Sequence, residues 1–206
     1  MTMIKIALLT AFIAHILCGY SDCLLSYGAN GRLNLKDIRY PDKMAAMFEN
    51  IPLRKPMISI LLGTFSITAM AFGYLALSKW MQQFNEVIAN VMFISSIVFA
   101  VPIVTHHIIC GLVEWFYIRL GRTTEAHDVV LEFQKKTIST MIVGYLALIM
   151  FLGCLFFAVV TGKTELPRWC CIINTLIFVL LLSPTQLPAK GNIAGAAMFL
   201  GLLIMI

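Results

Sequence analysis

VIANVMFISSIVFAVPIVTHHIICGLVEWFYI, the stretch from Val87 to Ile118, carries one formal charge, on Glu114. A bilayer's hydrocarbon core, about 30 Å thick, is crossed by about 20 apolar residues of helix. This run is longer, so it reads as a membrane-spanning helix that tilts or projects into water. Composition extends the reading to the whole chain. Of 206 residues, 60% are hydrophobic and only 12% charged, where a soluble domain carries about 25% charged residues. The mean hydropathy is +0.91. The fold class is all-α integral membrane.

Five more apolar stretches lie outward from that run: Ile4 to Tyr27, Pro56 to Trp80, Thr137 to Thr161, Trp169 to Ser183, and Asn192 to Ile206. The expectation is six transmembrane helices in three hairpins, forming a single membrane domain over residues 1–206. The last two stretches are short and suit a thinned region or a pair that does not fully cross, with two crossings preferred. Lys5 precedes an apolar run with no small-x-small cleavage site, so the N-terminus reads as an uncleaved first helix.

Eleven of the 15 Lys and Arg residues fall in the first, third and fifth loops, among them Arg32, Arg39, Arg122, Lys135 and Lys136. The positive-inside bias therefore places those loops in the cytoplasm and both termini outside, in a cell (inner) membrane. The same bias explains the formal charge of +5 and leaves no reason to expect a nucleic-acid partner. The expected partners are the bilayer itself and a lipid or small-molecule ligand, with an oligomer left open.

Two cytoplasmic loops show helical periodicity. Met44, Met47, Phe48 and Ile51 follow Asp42 at i, i+3, i+4 and i+7, and Ala126, Val129, Val130 and Phe133 follow Thr124 likewise. Both predict short amphipathic helices on the cytoplasmic leaflet, capped by Asp42 and Thr124. The repeated layout points to an internal duplication of 4–80 and 87–161, with 169–206 as a closing hairpin. Gly-Tyr-Leu-Ala-Leu also occurs twice, at 73–77 and 144–148, but at unmatched depths, a coincidence of a small alphabet.

One repeat carries chemistry. His15-Ile16-Leu17-Cys18-Gly19-Tyr20-Ser21-Asp22 recurs as His107-Ile108-Ile109-Cys110-Gly111-Leu112-Val113-Glu114. Ionisable groups inside membrane spans are costly and mark functional sites by default. On parallel helices, the two copies predict a histidine layer near the bilayer centre and a carboxylate layer about 10 Å nearer the cytoplasm. Gly19 and Gly111 would allow close helix approach. The candidate catalytic residues are Asp22, His106, His107 and Glu114. The candidate metal ligands are His15, Asp22, His107 and Glu114, for a divalent cation such as zinc. A structural reading stands beside each: a midplane histidine can bond a neighbouring helix, and Glu114 can reach interfacial water or Arg119. The six cysteines show no Cys-x-x-Cys spacing.

Gly19-Tyr20-Ser21-Asp22-Cys23-Leu24-Leu25 resembles the glycine-acid-leucine-leucine signature in the first helix of a bacterial six-helix membrane family of unknown function. The Leu166-Pro167-Arg168-Trp169 and Gly191-Asn192 segments are similar too. The resemblance implies a bacterial inner-membrane protein with Asp22 at a functional position, and it names no substrate.

Three functions fit these residues. A membrane enzyme acting on a lipid-like substrate would use the histidines and carboxylates as metal ligands or as an acid/base pair. A proton-coupled transporter or small channel would use them to bind and pass protons. A non-catalytic interaction or immunity protein would need none of them.

Overall fold

The computed structural model describes residues 2–28, 31–34 and 36–206. Along the chain lie α1 (Met3–Ser26), a minimal hairpin of β1 (Tyr27–Gly28) and β2 (Gly31–Arg32), a 3-10 turn at Asp37–Arg39, and α2 (Pro41–Phe48). Next come α3 (Arg54–Met81), α4 (Glu86–Arg119), α5 (Thr124–Thr137) and α6 (Ser139–Val160). A second 3-10 turn at Arg168–Ile172, α7 (Thr175–Leu182) and α8 (Lys190–Met205) close the chain.

Among the described residues, four helical runs are long and apolar enough to cross a membrane: α1, α3, α4 and the combined run Thr124–Val160. The remaining apolar helix, α8, has 16 residues, about 24 Å of rise. The fifth apolar stretch does not form one long helix. Asn174 divides it: its side chain accepts from Leu176 N at 3.0 Å, and its amide donates to Leu152 O at 3.0 Å. On its N-terminal side is the 3-10 turn, and on its C-terminal side is α7, only eight residues long. A buried cap thus ends helical propagation at the point where hydropathy alone predicts continuation.

Helix α3 is the centre of the assembly, packed between α1 and α4, while α6 lies on α4 and α8 on α1. Tyr74 of α3 is fully buried. Its ring meets Phe99 of α4, Phe151 of α6 and Phe199 of α8 edge-on, with centroids 5.3, 5.0 and 5.0 Å away. Edge-to-face contact suits the ring quadrupoles and ties four helices to one side chain.

A second, smaller core sits at the far end of α4. Met44, Phe48 and Ile51 from the α2 segment pack there with Ile109, Val113, Tyr117 and Ile118 of α4 and with Ala126 and Val130 of α5. The amphipathic helices therefore bury their apolar faces against protein, which differs from the expected placement flat on a leaflet. Helix α5 runs into α6 through Ile138 alone, whose backbone remains right-handed helical. Val129 and Phe133 stay exposed. The caps also shift by a residue or more. Tyr40 precedes α2, with Pro41 opening it and Asp42 in its first turn; Thr123, not Thr124, accepts from Ala126 N at 3.1 Å. Proline at the first helical position needs no amide partner, so α2 can start without a side-chain cap.

Candidate functional site

His107 leaves α4 and crosses the face of α3 to reach α1. Its path is open because residue 63 is glycine: a Cβ there would overlap the imidazole. The ring ends among Ser21, Asp22 and Ser59. Nε2 lies 3.0 Å from Ser21 Oγ, 3.0 Å from Ser59 O and 3.4 Å from Ser59 Oγ. Nδ1 faces Asp22 Oδ1 at 3.5 Å, an ion-pair distance. Ser21, Ser59 and His107 are all buried, whereas the Asp22 side chain is 33% exposed.

Counting donors leaves two arrangements of the protons. Ser21 Oγ donates to Ser59 O at 2.9 Å, and Ser59 Oγ donates to Ser21 O at 2.9 Å. Each hydroxyl has one rotatable proton, and Ser21 Oγ also lies 3.0 Å from Ser59 Oγ, so Ser21 can instead turn its proton to His107 Nε2. With both hydroxyls turned to the carbonyls, Nε2 is the N–H donor, toward Ser59 O. Nδ1 then meets a carboxylate oxygen, and a bare lone pair facing another would repel. In that arrangement a proton is shared by the Asp22–His107 pair; in the other, Ser21 donates to Nε2 and the neutral ring donates from Nδ1 to the Asp22 carboxylate.

Asp22 receives a second, independent contact. Asn192 of α8 donates from Nδ2 to Asp22 Oδ2 at 2.7 Å, and its Oδ1 lies 2.9 Å from His15 Nδ1. The Asn192 oxygen can only accept, so His15 Nδ1 carries hydrogen, and Nε2 accepts from Tyr74 Oη at 3.3 Å. The donors thus all point one way: Tyr74 to His15, His15 to Asn192, Asn192 to Asp22. The His15 ring rests on Gly195, where a Cβ would overlap it, and stacks on Phe199 at 5.5 Å.

The other predicted residues lie apart. His106 faces α6, with Thr140 Oγ1 at 3.3 Å from Nδ1 and Cys110 Sγ at 3.4 Å from Nε2. Glu114 makes no hydrogen bond or ion pair among the described residues; the charge within its electrostatic range is Lys55, whose ammonium donates to Tyr27 O. Among the described residues no group of three or more His, Cys, Asp and Glu side chains is placed to hold a metal ion. His15, Asp22, His107 and Glu114 do not form such a group.

The two copies of the repeated phrase also sit differently from the layered expectation. His107 is level with Ser21, six residues beyond His15, or about 9 Å along α1. Helix α3 stands between the helices that carry the two copies. Gly19 approaches Asn192 and Ala189, while Gly111 approaches Ile60 of α3.

Comparison with known proteins matches the whole chain, residues 1–206, to a family described as a family of unknown function, DUF6796. The chain belongs to that family. No curated protein and no solved structure matches it. Within this DUF6796 member, Ser59, Gly63, Tyr74 and Asn192 are site residues that sequence reasoning did not single out as such. Their signal in the sequence is weak: Gly191-Asn192 opens the last apolar stretch, and Ser59 and Gly63 lie four apart on one helical face.

Proposed function

We propose that this chain is a multi-pass protein of the cell membrane, with both termini outside, that couples proton binding at Asp22–His107 to transport of a small solute. The observation that carries the reading is the buried His107 ring facing the one-third exposed Asp22 carboxylate at 3.5 Å, two groups that can hold a proton between them. Two further features support it. Asp22 is held by the first turn of α8 through Asn192, where the positive end of a helix dipole favours a carboxylate. Short or interrupted helices whose ends meet a polar site are a recurring transporter arrangement. The exposed third of Asp22 offers protons a way in.

Infrared spectroscopy of the reconstituted protein during pH titration tests the assignment. The expected result is a carboxyl C=O band that grows on acidification, disappears in Asp22→Asn and shifts in His107→Gln. A spectrum unchanged in Asp22→Asn overturns the proton site.

One observation favours a second reading as an acid/base enzyme. Ser21, His107 and Asp22 stand in the order of nucleophile, base and orienting acid. Against it, Ser21 is 0% exposed. Covalent labelling of Ser21 by a fluorophosphonate probe would favour the enzyme; no labelling is expected.

A further inference from the structure

Arg39, His127, Asp128, Leu131, Glu132 and Lys135 line an open cavity of about 470 Å³ on the side of the molecule that carries α2 and α5. Its carboxylates already have partners. Glu132 is taken by Lys136, at 2.6 Å. Asp128 Oδ1 is taken by His127 Nδ1, at 3.0 Å, while His127 Nε2 lies 3.0 Å from Ile38 O. The two carboxylates each have a partner of their own. Arg39 and Lys135 have no hydrogen bond or ion pair with any partner among the described residues.

We propose that this cavity binds the phosphate group of an anionic lipid headgroup. A forked guanidinium and a lysine ammonium are the side chains best suited to phosphate oxygens. The location selects the lipid source. Lys135 lies four residues before Ser139, where α6 begins its span, and α5 presents exposed Val129 and Phe133 on another of its faces, apolar surface suited to lipid.

The test is calorimetric titration of the purified full chain in neutral detergent with short-chain phosphatidylglycerol, short-chain phosphatidylcholine and inorganic phosphate. Phosphatidylglycerol is expected to bind most tightly. The double variant Arg39→Ala/Lys135→Ala should weaken it at least about tenfold, since each basic residue near a headgroup contributes about that order. Glu132→Gln should strengthen it, because it removes a lining charge and frees Lys136. A gain in affinity cannot arise from misfolding, so the two variants together separate the site from damage to the fold. Unchanged phosphatidylglycerol binding in the double variant overturns the site. Inorganic phosphate or phosphatidylcholine binding as tightly as phosphatidylglycerol overturns the anionic headgroup.

Discussion

Two histidines reach their partners only because a side chain is missing opposite each. His107 lies over Gly63 and His15 over Gly195. Gly63→Ala should therefore destabilise by about 1–3 kcal/mol, the usual range for forcing a methyl group into a filled interior. Gly153→Ala is the control, since a Cβ there meets nothing within 4 Å; thermal unfolding in detergent should show it neutral or slightly stabilised. Function should divide in the same way. Asp22→Asn is expected to abolish pH-dependent behaviour while leaving the fold intact, because an amide still accepts from Asn192 and preserves volume. The residue scale is also where the sequence was least legible. Asp22 and His107 stood out because charge is rare in apolar helices. Ser59, Gly63 and Asn192 did not, because small and amide residues are ordinary there and their partners lie 38 to 177 positions away.

At the scale of elements, the end of the α2 segment is tied down by one side chain in addition to its buried apolar face. Arg122 donates from Nε to Phe48 O at 2.9 Å and from Nη2 to Ile51 O at 3.1 Å. One carbonyl ends α2 and also accepts from Ile51 N at 3.2 Å; the other lies three residues beyond it. Arg122→Ala should weaken the segment by about 1–3 kcal/mol, read as faster hydrogen exchange over residues 41–53 with little change in α1 or α3. The turn before α2 has a milder acid sensitivity. Lys43 sits 2.7 Å from Asp37 and draws its carboxyl below the ordinary value of 3.8. A depressed folded-state value means that this contact contributes above the ordinary carboxylate range and is lost as pH falls through the lowered one. Both groups are solvent-exposed, so the effect on stability is small, but an NMR titration should show Asp37 protonating at lower pH than in Lys43→Ala. The long helices were legible element by element: hydropathy placed α1, α3, α4 and α6 within a few residues. The fifth stretch was not, because the break at Asn174 depends on a carbonyl of α6, and hydropathy carries no such tertiary partner. The periodicity of α2 and α5 was legible, but not that they would bury against α4.

For the whole molecule, the central position of α3 makes it the route by which α1, α4 and α8 share one site. Tyr74, Ser59 and Gly63 all belong to it, and each serves a different neighbour. The short α7 and α8 are tied to this body at the Asp22 end by Asn192 and at the turn by Arg32, which donates to Gln186 O at 2.6 Å. Removing both ties, in Asn192→Ala/Arg32→Ala, should increase protease cleavage within residues 183–189 more than either single change. The one-way chain from Tyr74 to Asp22 has a consequence of its own. Each donor polarises the next, so the electron density on a phenol buried among four helices depends on the charge of a carboxylate two intermediaries distant. A fluorinated tyrosine at position 74 would then act as an internal antenna. Its fluorine resonance should track the protonation of Asp22 without touching it, and should fall silent to pH once Asn192 is cut to alanine.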